Sequence, residues 1–166
     1  MNQLVGYDNI IPLVAPADKT SNDTATPYMD LKGVNRAAFL VIFGNIDSGS
    51  TDTLTITVEG ATDPAGTEAA VAFTYRQSGA VGANTWGAVT AGATTGFTVA
   101  LTDDNKMYWI EVNPDAMAAS DYRYIRLSVD PTVASQMANN LLAVVGLLDT
   151  KYKMTTFISA TASASS

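Results

Sequence analysis

Three stretches of the chain alternate between apolar and polar residues, a pattern that predicts β-strands with one face in a core. The clearest stretch runs from Thr53 to Glu59, and the other two are Met107–Val112 and Tyr122–Val129. Because successive side chains of a strand point to opposite faces, alternate residues of each stretch are predicted to be buried. These inward residues are Leu54, Ile56, Val58, Tyr108, Ile110, Val112, Ile125, Leu127 and Val129.

A continuous apolar run from Ala37 to Phe43 shows a different pattern, in which both faces of the strand are apolar. Such a run predicts a central strand that is covered on two sides. Aliphatic, aromatic and β-branched residues predict further strands at Thr85–Val89, Gly96–Leu101 and Asn139–Lys153.

Turn residues between these stretches predict which strands pair. Asp63–Gly66 has a proline that presets φ and a glycine that permits positive φ, so the strand before it is predicted to form a hairpin with Ala69–Arg76. The polar turn Asp103–Lys106 predicts that Gly96–Leu101 pairs antiparallel with the strand that follows the turn.

Helical patterns are short, limited to one turn within Pro114–Ser120 and a short helix at Thr132–Ala138. The strand pattern predicts an all-β fold, a single β-sandwich or jelly-roll-like domain that spans residues 26–158. Residues 159–166 are only Ala, Ser and Thr, which supply too little apolar surface to offset the entropy of ordering. This tail is therefore predicted to be disordered.

Residues 1–25 are predicted to form an extended N-terminal arm. Their apolar segment is interrupted by Pro12 and Pro16, which lack the N–H that a central strand needs, so the arm belongs at a sheet edge or in a groove of a neighbour. We predict that its apolar residues contact a neighbouring subunit. These candidate interface residues are Ile10, Ile11, Leu13 and Val14.

The composition narrows the functional classes. At roughly 150 residues per domain, 166 residues make one domain. Charged residues are only 15%, against about 25% in ordinary soluble domains, so much of the surface must be neutral. The net charge of −7 repels phosphate backbones, which argues against nucleic acid as a partner.

The chain contains neither Cys nor His, which removes disulfides, thiolate nucleophiles, imidazole bases and soft metal ligands. The longest uncharged apolar stretch, Leu141–Leu148, is too short to cross a bilayer, and the first residues lack a signal-peptide pattern. We therefore expect synthesis in a cytoplasm, no membrane partner, no cofactor, no bound metal and no enzymatic activity.

One motif is similar to the catalytic loop of aspartic proteases. Asp47-Ser48-Gly49 follows an apolar strand, and Val144-Val145-Gly146 is loosely like their later apolar element. That chemistry needs two carboxylates that share a proton, but Asp149-Thr150 is followed by Lys151, so only a homodimer would supply the second carboxylate. The residues after Phe43 are also typical of a polar hairpin loop, which is the interpretation we prefer.

Two further clusters have structural interpretations that we favour. Asp103-Asp104-Asn105 offers oxygen atoms to a hard cation such as Ca²⁺, but it lacks the alternating ligands of a dedicated loop and is typical of a turn. If four aromatic residues shared one surface, they would form a platform that stacks on a sugar. Aromatic residues more often pack in cores or at interfaces. These aromatic candidates are Trp86, Trp109, Tyr122 and Tyr124.

Several segments between residues 10 and 153 carry a resemblance to a known family. They are Ile11–Pro16, Thr55–Asp63 followed by Gly66, Phe73–Gly79, Asp103–Lys106, Ile110–Val112 and Tyr124–Leu127. In this order they resemble the small β-rich structural proteins of tailed bacteriophages, in particular the decoration or cement proteins of the capsid.

The resemblance implies a β-sandwich that binds the major capsid protein at junctions between capsomers and stiffens the shell. It implies a homo-oligomer, with a trimer favoured, on the outer capsid surface of the virion. Two alternatives stay open: a structural protein of the phage tail tube or of head completion, and a carbohydrate-binding β-sandwich module.

Overall fold

The structure, a computed structural model, describes residues 9–19, 24–46, 53–100, 103–118, 120–131 and 140–151. Within these ranges the chain forms twelve strands and one short helix, α1 (Pro114–Ala118). The strands are β1 (Asn9–Lys19), β2 (Thr24–Ala25), β3 (Met29–Asp30), β4 (Val34–Phe43), β5 (Leu54–Ala61), β6 (Ala69–Val71), β7 (Phe73–Gln77), β8 (Thr90–Gly92), β9 (Phe97–Val99), β10 (Met107–Val112), β11 (Tyr124–Pro131) and β12 (Asn140–Thr150).

The strands form two antiparallel sheets that pack face to face. Sheet A has the order β1-β12-β4-β10-β7-β8, and sheet B has the order β2-β11-β5-β6, with β3 also paired to β11 and β9 to β5. The predicted all-β sandwich is confirmed. The central strand predicted at Ala37–Phe43 is confirmed as well, because β4 lies between β12 and β10.

Every residue predicted to face inward on the three alternating stretches is buried. In sheet B, Leu127 pairs with Val58 and Val129 with Ile56, so neighbouring strands present one continuous aliphatic layer to the core. Full burial of such a side chain stabilises the fold by about 1.5–3 kcal/mol. The alternation in the sequence therefore sets which face of each strand closes the sandwich.

An aromatic cluster fills the core on the side of β7 and β10. Tyr75 stacks on Phe97 with ring centroids 3.9 Å apart, and Phe97 lies 5.2 Å from Tyr108. Phe43 meets the Tyr108 ring edge to face at 6.0 Å. These contacts link β4, β7 and β10 of sheet A to β9 of sheet B.

The hairpin predicted after β5 is only partly correct. The turn is present, with the Gly66 N–H donating to the Asp63 carbonyl at 2.9 Å. The single partner strand predicted at Ala69–Arg76 is wrong, because β6 pairs with β5 in sheet B whereas β7 pairs with β10 in sheet A. The residues on both sides of Ala72 are buried, so alternation continues across the change of sheet and does not reveal it.

The antiparallel pairing predicted between Gly96–Leu101 and Met107–Val112 is wrong. β9 pairs with β5 in sheet B, and β10 lies between β4 and β7 in sheet A. The turn between β9 and β10 therefore joins the two sheets. The physical reason is the ring of Phe97, which stacks on Tyr75 between the sheets and has no equivalent place in a local hairpin.

The strand predicted at Thr85–Val89 is also wrong, since the structure has only an isolated bridge between Ser78 and Trp86 there. Side chains from 81 to 91 are exposed, so no buried face holds this segment extended. The strand of this region is β8, which pairs with β7 at the edge of sheet A.

Other predicted elements are present where the structure describes them. The helical turn predicted within Pro114–Ser120 is α1, and the last predicted strand is β12. Some predictions lie outside the described residues: the helix at Thr132–Ala138, the tail 159–166, the first eight residues of the arm and the protease-like loop Asp47–Ser50.

β1 contains the proline-interrupted segment of the predicted arm. It lies at the edge of sheet A and pairs antiparallel with β12, with register shifts between Pro12 and Val14 and between Val14 and Ala17. An edge is where a strand tolerates proline, because one side of the strand has no partner to receive an N–H. Ile11 and Leu13 are only 6% and 8% exposed and join the core between the sheets.

β12 has no room for a side chain at Gly146. A Cβ built there would lie 2.9 Å from Leu13 Cδ1 and would also clash with the Sδ of Met29. Leu13 from β1 and Met29 from β3 therefore pack over the same point of β12. This close approach joins the edge strand to both sheets.

We expect Gly146→Ala to lower the free energy of unfolding by about 1–3 kcal/mol, because the added methyl group overfills a packed core. Urea unfolding followed by far-UV circular dichroism measures the change. Gly87→Ala is the matched control, since the nearest atom to its Cβ would be 3.5 Å away, an ordinary contact. Equal losses in the two variants would contradict close packing at Gly146.

Candidate functional site

The acidic turn considered as a cation site serves as a structural turn. Asp103 accepts hydrogen bonds from the Tyr108 hydroxyl at 2.7 Å and from the Ala100 N–H at 3.2 Å. Asp104 accepts from the Ile46 N–H at 2.7 Å, and Asn105 has a φ of 57°. Within the described residues no group of three or more acidic side chains is arranged to hold a metal ion.

Tyr108 anchors this turn to the core. Burial, together with the hydrogen bond to Asp103, raises the pKa of Tyr108 well above its ordinary value, so the hydroxyl stays protonated. Its oxygen also accepts a hydrogen bond from Gln77 Nε2 at 2.9 Å. The arrangement holds β7, β10 and the turn together.

The aromatic candidates for sugar stacking do not form one platform. Trp86 and Trp109 meet edge to face on the outer side of sheet A, with ring centroids 6.5 Å apart. Tyr122 packs against the core near Gly60, and Tyr124 lies under the Arg123 guanidinium on β11 of sheet B. The two tryptophans therefore lie together on sheet A, whereas the two tyrosines lie beside sheet B.

The second element of the protease-like pattern is part of the core packing. Val144 is fully buried in β12, and Gly146 is the point over which Leu13 and Met29 pack. Asp47 lies outside the described residues. The structure thus assigns a packing role to this part of the motif.

The two outer faces of the sandwich differ in chemistry. Sheet B presents threonines and ion pairs to solvent, as expected for a sheet with one wet face. Arg126 bridges Glu59 and Glu68 at 2.6 Å each, and Arg123 binds Asp30 at 2.6 Å. This face is polar and its charges are paired.

The outer face of sheet A has aliphatic and aromatic side chains over most of its rows, with the Arg36–Glu111 ion pair toward one end. The strand register sets its rows: Leu147 lies beside Ala38, Val145 beside Leu40, and Ala143 beside Ile42. We call this surface the apolar face. Its members are Ile10, Ala38, Leu40, Ile42, Met107, Trp109, Leu141, Ala143, Val145 and Leu147.

The apolar face is packed at its centre and open at its margins. Ala38 and Leu147 are buried, with Leu40 and Trp109 packed against them. At the margins, Ile10 is 54% exposed and Leu141 is 48% exposed. Large exposed apolar side chains beside a packed apolar centre are typical of a surface that meets another molecule.

A cleft of about 530 Å³ continues the apolar face at the end of sheet A where β4 ends and β12 begins. It lies between the loop 78–83 and the adjoining ends of β4 and β12, and none of the described residues that line it is charged. Leu141 and Met107 belong to both the cleft and the apolar face. The face and the cleft together form the candidate functional site.

The predicted interface residues separate into two groups. Ile11 and Leu13 are buried in the core between the sheets, and Val14 is half-buried against it. Ile10 points to the other side of β1, where it adjoins Leu147 on the apolar face. Whether these residues contact a neighbour stays a prediction, for which Ile10 has the most exposed side chain.

Sequence reasoning missed most of the apolar face, although a signal was present. The runs Ala37–Phe43 and Leu141–Leu148 are both apolar on two faces, and adjacent strands of this kind give a sheet with two apolar sides. The register that places them side by side is not encoded locally.

Comparison with known proteins finds no family model, no curated protein and no solved structure that matches the chain. In the part of the chain that the structure describes, no helix is long and apolar enough to cross a membrane.

The ion pair of Asp30 and Arg123 on sheet B makes stability depend on pH. Burial pushes the pKa of Asp30 upward, but the hydrogen bonds from Arg123 and the Lys32 N–H outweigh burial, and the pKa falls below the ordinary 3.8. A carboxyl with a lowered pKa stabilises the fold above its unfolded pKa, and this stability is lost as pH falls through the folded pKa.

We therefore expect Arg123→Gln to lose less stability than the natural chain when the pH falls from about 5.5 to about 3. Urea unfolding at both pH values measures the difference. Lys151→Gln, which also removes one exposed positive charge, should keep the natural dependence. An unchanged pH dependence in Arg123→Gln would show that this ion pair does not contribute.

Proposed function

We propose that this chain is a structural virion protein that decorates and cements the outer capsid shell of a tailed bacteriophage. It would do so by bridging neighbouring copies of the major capsid protein, on the outer surface of the virion, after synthesis in the host cytoplasm. The observation that supports the proposal is the contrast between the polar outer side of sheet B and the apolar face of sheet A. The resemblance of the chain to decoration proteins is the reason for proposing a capsid shell as the assembly that it joins.

Cementing requires binding surfaces and no covalent chemistry. A subunit that contacts two neighbours makes its second contact at a high effective concentration, so modest interfaces together strengthen a lattice. The chain has no His and no Cys, the residues that most often supply a general base or a thiolate nucleophile. An enzymatic role is therefore not part of the proposal.

The charge of the chain suits the outside of a particle. A net charge of −7 keeps coated particles apart from one another and from anionic surfaces. The apolar face and its cleft contain none of these excess acidic side chains among their members. A neutral contact surface on an acidic subunit is consistent with docking on one side and exposure to solvent on the other.

Ile10 is the side chain through which we test contact with the shell. Deleting the arm would also remove Ile11 and Leu13 from the core, so loss of binding after deletion would not separate contact from folding. A substitution at Ile10 changes an exposed side chain and leaves the core residues in place.

The purified protein is expected to bind expanded, empty phage shells stoichiometrically in a co-sedimentation assay. Ile10→Asp should weaken this binding at least roughly tenfold, because a charge replaces an apolar contact. Thr57→Asp, on the outer side of sheet B, is the matched control and should bind within about twofold of the natural chain. No binding by the natural chain would overturn the proposal.

The alternative functions give different results with the same protein. A tail-tube protein would assemble into rings or tubes by itself, which electron microscopy detects. A carbohydrate-binding module would be retained on a glycan column, and Trp86→Ala would abolish the retention. Either result, without shell binding, would replace the cement function.

A further inference from the structure

Two side chains of opposite charge at the margins of the apolar face have no partner among the residues that the structure describes. Arg76 points outward from β7 in the row of Trp109, and Asp149 points outward near the end of β12, opposite Arg36. Arg36 directs its guanidinium to Glu111 at 2.6 Å instead. Within the residues that the structure describes, neither Arg76 nor Asp149 makes a side-chain hydrogen bond or ion pair.

Arg76 differs in this respect from the other arginines. The chain has four, and Arg36, Arg123 and Arg126 each hold at least one carboxylate at 2.6 Å. A guanidinium that becomes covered by a partner needs a carboxylate, because an unpaired buried charge is costly. A partner that covers the face beside Trp109 must therefore bring an acidic group to Arg76.

Asp149 of the same chain is too far away to supply that group. β10 and β4 lie between β7 and β12, which separates the two strands by about 14 Å at ordinary sheet spacing. In a contact with two-fold symmetry, residue i of one copy meets residue j of the other and the reverse. Two unpaired opposite charges at different margins of one face fit such a contact, because each charge can meet its opposite on the second copy.

The net charge also favours this face for contact between copies. Two copies that each carry −7 repel one another, but the charged residues of β4, β7, β10 and β12 that border the apolar face are balanced, two positive and two negative. They are Arg36, Arg76, Glu111 and Asp149. Asp18 of β1, opposite Leu141, adds one acidic residue at the other margin, so repulsion between copies is reduced at this face and not removed.

The size of the face predicts a reversible contact. At about 4.8 Å between strands and 3.4 Å per residue, the part of sheet A from β1 to β7 that presents this face covers roughly 500 Å² in projection. A stable interface buries about 800 Å² on each partner. The face is smaller than this, and Ala38, Ala143 and Leu147 within it are already buried, so the contact is expected to be weak and reversible.

We propose that the apolar face is a self-association surface, on which a second copy of this chain docks with two-fold symmetry. Arg76 of each copy pairs with Asp149 of the other, and Leu40, Val145 and Trp109 pack between them. The inference does not rest on the proposed function, which uses the Ile10 edge of the same face for contact with the shell.

Sedimentation equilibrium of the purified full chain over a range of concentrations tests the proposal. We expect a reversible dimer, whose dissociation constant rises at least roughly tenfold in Arg76→Asp and in Asp149→Arg. The double variant Arg76→Asp/Asp149→Arg restores both pairs with their charges exchanged, so its dissociation constant should return to within about threefold of the natural value. Its recovery also shows that the single variants fold.

Two further variants test whether the loss of dimer is specific to the apolar face or follows from any change of charge. Leu141→Lys places a charge at an exposed position of the face and should weaken the dimer. Arg123→Asp makes the same charge change as Arg76→Asp but on sheet B, and should leave the dimer intact. Circular dichroism verifies that each variant is folded.

A natural chain that stays monomeric, or a double variant no better than the single ones, would overturn the pairing. A closed trimer, which the resemblance implies, would overturn it as well, because its contacts are not reciprocal. The assay contains no shells, so it is independent of the cement function. A monomer that binds shells would refute this inference alone. A natural dimer whose monomeric Arg76→Asp variant, with the face uncovered, also fails to bind shells would refute the cement function alone.

Discussion

Burial of alternate side chains between sheet A and sheet B is the interaction on which the rest of the structure depends. Each long strand supplies one apolar face to this layer, from Phe39 and Val41 in sheet A to Ile56 and Leu127 in sheet B. Because the core lies between the sheets, the outward side chains of each strand are not needed to form it. The polar side of sheet B and the apolar face of sheet A are two different uses of that freedom.

The faces of individual strands follow from the sequence, but the sheet to which each strand belongs does not. Period-two alternation is a local property, and it identified the buried side of β5, β10 and β11 residue by residue. Sheet membership depends on contacts between distant residues. Ala72, where the chain changes sheet without interrupting the pattern, and Phe97, which stacks on Tyr75 across the sandwich, show why local turn residues mislead.

The candidate site was predictable only in part for the same reason. The run Ala37–Phe43 indicated a strand covered on both sides, and Leu141–Leu148 has the same pattern although that conclusion was not drawn from it. That they are neighbours, and that Arg76 and Asp149 border the surface they form, depends on a register established by strands far apart in the chain. Unpaired charges are visible only once the paired ones have been located, and no spacing in the sequence reveals them.

The pairing of β1 with β12 has a consequence for how the molecule is made. These are the first and the last described strands, and Asn9 lies opposite Leu148. During synthesis β1 finds no partner until β12, which begins at Asn140, has also been made. Folding dominated by such distant pairings is slow, since loop closure precedes the contacts that repay it. The prolines of β1 then serve a second purpose: they make the waiting strand a poor template for aggregation before its own partner arrives.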